Sequence, residues 1–84
     1  MLNIIKFKKS TKKFKKYDAI MSDDSIVSFG DNRYEQYKDK ALGLYSHLNH
    51  LDKKRRDNYK ARHHKDINKK FSPGWFSYNY LWSD

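Results

Sequence analysis

The sequence predicts a small α+β domain, and three observations lead there. Two short β-branched and aromatic runs flank a four-residue polar turn. A capped, base-rich helical segment follows. A dense aromatic segment closes the chain after Ser72-Pro73-Gly74. The expected architecture is an N-terminal β-hairpin packed on two to three short helices and preceded by a basic arm.

The hairpin is read from Tyr17-Asp18-Ala19-Ile20-Met21, the turn Ser22-Asp23-Asp24-Ser25, and Ile26-Val27-Ser28-Phe29. Asp and Ser bond their own backbone and favour turns, and such runs around a polar turn form hairpins. A lone hairpin is unstable in water, so a cover is required. Asn32 and Glu35 fit a capping box. Tyr34, Tyr37, Ala41, Leu44, Leu48 and Leu51 then recur at helical spacing, which predicts a first helix interrupted near Gly43. Asp52 fits the N-cap of a second helix, Lys53 to about Ile67, with Tyr59, His63 and Ile67 in line. Pro73 suits the first turn of a third, short helix, and a terminal strand is the competing reading.

Length and composition constrain the core. In 84 residues, Leu, Ile, Val and Phe number 17, near the lower limit for folded chains, but 14 residues are aromatic. The expected core is Tyr17, Ile20, Val27, Phe29, Tyr59, His63, Trp75, Phe76 and Trp82. Residues 1–14 are expected as a basic flexible arm and residues 15–84 as one compact domain. No apolar run is long enough to span a membrane. The apolar start followed by bases is the reverse of a secretory signal, so the protein is expected not to be secreted.

Charge is concentrated in two blocks. The net charge is +9, with +7 over residues 1–16 and +7 over residues 53–70, flanking an acidic middle. Blocks of one sign point to a polyanion. Lys8, Lys9, Lys12, Lys13, Lys15, Lys16, Lys53, Lys54, Arg55, Arg56, Lys60 and Arg62 are the candidate contacts, to nucleic acid or to an acidic protein surface. The same lysines also suit a plain solubilising surface. Phe7, Phe14 and Trp75 are candidates for stacking on bases, although Trp75 suits the core better.

Other chemistry is poorly supported. His47, His50 and the His63-His64 pair are the only metal-ligand candidates. Without cysteine, and with adjacent histidines pointing apart, no metal or other cofactor is expected. No phosphate loop or nucleophile-base pattern is present, and no enzymatic activity is expected. Arg62 is expected to reach an acid such as Asp31.

Over residues 15–82 the strings Lys16-Tyr17-Asp18-Ala19-Ile20, Phe29-Gly30-Asp31, His50-Leu51-Asp52, Arg62-His63, Ser72-Pro73-Gly74-Trp75-Phe76-Ser77 and Leu81-Trp82, with Arg56 and Tyr59, resemble one family. It comprises short proteins of unknown function encoded mainly by giant nucleocytoplasmic DNA viruses, with similar short proteins in some tailed phages. The resemblance implies a viral setting, in the virion or inside the host cell, and viral capsid proteins as possible partners. It implies no catalytic residue. Two expectations follow: a small basic virion protein that binds nucleic acid, or a minor capsid or cement protein whose basic arm bridges acidic capsid faces.

Overall fold

The computed structural model describes residues 2–83. It is α+β: a three-stranded antiparallel sheet followed by two helices. Strands β1 (Ile4–Lys9), β2 (Lys15–Met21) and β3 (Ile26–Asp31) lie in that order, with β2 central. A 3-10 turn spans Ser46–Leu48. Helix α1 covers Lys53–Ile67, α2 covers Pro73–Ser77, and a wider π-type turn, Tyr78–Trp82, continues α2. No helix among the described residues is long and apolar enough to cross a membrane.

The hairpin of β2 and β3 forms where the polar turn predicts it. Asp23 accepts hydrogen bonds from the amide and hydroxyl of Ser25, and Asp24 takes a left-handed φ of 68°. Register pairs Tyr17 with Phe29 and Ala19 with Val27, which places Tyr17, Ala19, Met21, Val27 and Phe29 on one face. The segment expected as a flexible arm contributes β1, paired along β2 through Phe7–Ala19 and Lys9–Tyr17. A strand accommodates this lysine-rich run because its period of two turns Phe7 to the core while Lys6 and Lys8 face water. Lysines on an outer strand also discourage edge-to-edge association.

The core face is covered by α2 and the π-type turn. Phe76 stacks on Phe29 with ring centroids 5.3 Å apart, and Phe7 meets Phe29, Phe76 and Tyr80 edge-on. Ser72 caps α2 by accepting from the Trp75 amide, with Pro73 in the first turn. Gly30, at φ 77°, lets this turn approach closely: a Cβ there would lie 2.8 Å from Leu81 Cδ1. Helix α1 packs outside α2. Tyr59 stacks face to face on Trp82 at 4.3 Å and donates to the Ser77 hydroxyl.

The expected core is corrected at several positions. Tyr17, Phe29 and Phe76 are fully buried, whereas Val27, Tyr59, Trp75 and Trp82 are half-buried. Ile20 is half-buried on the opposite face of the sheet, because it alternates with Ala19 and Met21. His63 is half-exposed against Tyr59 at a kink in α1, where its φ is −114° and its ψ is 17°. Ala19, Met21, Leu81, Tyr37 and Ile67 are buried instead.

The predicted first helix is absent. Residues 32–45 form an irregular loop in which polar side chains bind backbone groups that a helix would have paired. Gln36 Nε2 donates to Tyr45 O and to Asn49 Oδ1. Asp39 accepts from the amides of Ala41 and Tyr45 and from the Tyr17 hydroxyl. The amides of Lys38 and Lys40 bond Leu81 O and Tyr80 O. Gly43 sits at φ 74°, outside the helical region.

Lys16 is drawn into this network. It is 2% exposed, and its ammonium donates to Tyr34 O at 2.9 Å and Gln36 Oε1 at 2.6 Å. Burial lowers its pKa to about 8, against the opposing pull of Asp39 and Asp31. Between about pH 8 and 10.5 the unfolded chain holds a proton that the folded one has released, so stability rises with pH across that window. Tyr17 and Tyr59 are shifted upward, chiefly by burial. The unfolded tyrosines ionise first, so above about pH 10 stability falls again. Thermal midpoints should therefore climb from about pH 7 to a maximum near pH 9–10, and Lys16→Met should abolish the climb. An equal climb in that variant would exclude Lys16 as its source.

Candidate polyanion interface

The basic helix is positioned by a local cap. Asp52 Oδ1 accepts from the amides of Lys54 and Arg55, and His50 Nδ1 accepts from the Asp52 amide. The inner side of α1 is narrow, formed by Arg56, Tyr59, His63 and Ile67. Lys53, Lys54, Arg55, Lys60 and Arg62 are exposed. Two of the expected contacts are engaged elsewhere. Arg55 pairs with Glu35 at 3.1 Å. Arg56, its side chain 21% exposed, pairs with Asp57 and lies over the Tyr37 ring.

On the sheet side, Lys8, Lys9, Lys12, Lys13 and Lys15 are exposed along β1 and the loop into β2. Lys16 is not available to a partner, because the 34–49 loop consumes its ammonium. Of the twelve residues expected to contact a polyanion, the structure thus removes Lys16 and engages Arg55 and Arg56 in ion pairs.

The two basic blocks occupy different layers, since the cover formed by α2 separates α1 from the sheet. They come together at one place. A cleft of about 560 Å³ opens between the start of β2, the end of β3, the 34–35 segment, α1 and α2. Lys15 from the sheet and Arg55 and Arg62 from α1 line it together with Tyr34, Tyr59, His63 and Trp82. Asp31 and Glu35 also line it, but each is held by an arginine. Arg33 binds Asp31 through Nε and the terminal nitrogen, at 3.0 and 2.8 Å, and brings its pKa down to about 2. Arg33, not Arg62, is thus the partner of Asp31. Lys15 and Arg62 carry no ion pair among the described residues, which leaves the cleft able to accept an anion.

Beside this cleft lies a cluster that the sequence reading did not assemble. Phe14, noted only as one stacking candidate, sits at the loop tip under the Arg33 guanidinium, 4.0 Å from its ring centroid. Tyr34, expected on a helical stripe, is instead exposed, with its ring centroid 5.5 Å from the same guanidinium. A signal existed in the interleaving of Phe14, Arg33 and Tyr34 with bases, but only the fold brings residues 14 and 33 together. The histidines remain apart: among the described residues, no three potential ligands converge on a metal position.

No curated protein and no solved structure matches the chain significantly. A family model does match, over residues 5–63, from β1 through the loop to the kink of α1. Because that match spans well over half of its length, the chain belongs to DUF5754, a family of unknown function.

Proposed function

We propose that this is a small non-enzymatic protein that binds nucleic acid electrostatically, in the viral setting implied by its resemblance to giant-virus proteins. The observation supporting this most strongly is the set of exposed cations without an ion pair among the described residues, Lys8, Lys9, Lys12, Lys13 and Lys15 on one layer and Lys53, Lys54, Lys60 and Arg62 on another. Released counterions would drive the binding, and phosphate contacts of this kind carry little sequence information.

The expected result is binding to DNA or RNA with little sequence preference and a steep salt dependence. With about 6–8 phosphates neutralised, affinity should fall at least ~10³-fold between about 50 and 200 mM salt. Replacing Lys53, Lys54 and Lys60 with glutamine should flatten the slope without lowering the thermal midpoint, because none of the three is buried. Absence of binding at low salt overturns the proposal. Recovery with the capsid shell after nuclease treatment of infected cells would support a minor capsid or cement role instead.

A further inference from the structure

Phe14 and Tyr34 are aromatic side chains that the fold leaves outside its core. Phe14 is 40% exposed and Tyr34 is 63% exposed. Phe14 adopts a φ of 64°, a left-handed conformation unfavourable for a bulky residue. Among the described residues the Phe14 ring packs on no part of the core, and only Arg33 and Lys13 lie over it. Its surroundings are ordered nonetheless. The Asn32 amide bonds Phe14 O, the buried Lys16 ammonium bonds Tyr34 O, and Asp31 grips Arg33 by both its backbone amide and its guanidinium. The guanidinium is thereby held close to both rings, 4.0 Å from the Phe14 centroid and 5.5 Å from that of Tyr34. Lys12, Lys13 and Lys15 are neighbours in the chain of Phe14, and Tyr34 borders the cleft that holds Lys15, Arg55 and Arg62.

Flat rings and a pinned guanidinium beside a line of cations match an unpaired strand, whose bases expose their faces while its phosphates remain charged. A duplex buries those faces and offers only phosphates to such a surface. We propose that the Phe14–Arg33–Tyr34 ledge and the adjoining cleft bind single-stranded nucleic acid in preference to duplex. Bases stack on Tyr34 and Phe14. The backbone runs past Lys12, Lys13 and Lys15 toward Arg62. This deepens the nucleic-acid reading above and rests on it.

The test measures fluorescence anisotropy of the full-length protein with a labelled oligothymidylate, with a duplex of equal length, and with inorganic polyphosphate as competitor. Phe14→Gly combined with Tyr34→Ala removes both rings while relieving the left-handed strain, so the thermal transition should persist. At roughly 1–3 kcal/mol per stacked base, the double variant, which removes two stacks, should lose at least ~30-fold in affinity for the single strand. Its binding to duplex and polyphosphate should not change. Lys12, Lys13 and Lys15 replaced by glutamine should weaken all three. If the wild type shows no preference for the single strand, or the ring variant loses affinity equally for every probe, the ledge proposal fails while polyanion binding stands. Failure to bind any probe overturns both.

Discussion

Ending the chain at Phe71 should leave a protein without a cooperative thermal transition. Truncation there removes Phe76 and Leu81, both fully buried, and the Trp82 ring that carries α1 through Tyr59. Phe76 alone contacts the rings of Phe7, Phe29, Phe71, Trp75 and Tyr80. Truncating a buried phenylalanine to alanine costs about 3–5 kcal/mol. Total stability at ~0.05–0.15 kcal/mol per residue amounts to roughly 4–13 kcal/mol for this chain. Phe76→Ala should therefore lower the melting temperature by more than ~10 °C, at ~4–8 °C per kcal/mol. Trp82→Ala should cost less, since that ring is half-buried. Circular dichroism on the three proteins gives the ranking. A cooperative transition in the truncated chain would show that the sheet does not depend on its cover.

Deleting residues 1–12 should be nearly as damaging. Composition alone argues the reverse, because the segment is mostly lysine with one large anchor. In the fold, that deletion strips β2 of one of its two hydrogen-bonded neighbours and removes Phe7 from three aromatic contacts. It also uncovers the side of a hairpin that is marginal by itself. The expected outcome is a melting temperature lower by at least ~10 °C, or no transition at all. A deletion variant that melts like the full-length protein would return this segment to the status of an arm.

Elements whose determinants are local were legible in the sequence. The β2–β3 turn depends on Asp23 and Ser25 bonding each other, the start of α1 on Asp52, and the start of α2 on Ser72 and Pro73. Elements decided by distant partners were not. The stripe from Tyr34 to Leu51 satisfies helical spacing, yet Gln36, Asp39 and Asn49 build a buried polar network with Lys16 and Tyr17 that no periodicity reveals. For the same reason Lys16 looked like one more surface base, and only its pairing with Gln36 shows otherwise. Of the candidate interface, the exposed lysines could be read from charge blocks. The cleft could not, because Lys15, Tyr34 and Arg62 are brought to it by three separate elements.

The placement of the aromatic cover has a consequence for how the chain is made. The sheet is encoded by residues 4–31, but its apolar face is sealed by side chains between positions 71 and 82. During synthesis Phe7, Tyr17 and Phe29 emerge first and wait, without Phe76 and Leu81 to seal them, until some forty more residues have been added. Closing a core between such distant segments is slow, because the intervening chain must be ordered before the contact repays it. In that interval the nascent hairpin would be exposed to aggregation. The like charges of Lys6, Lys8, Lys9, Lys12 and Lys13 beside it would repel other nascent copies, so the same lysines would protect the chain before it folds.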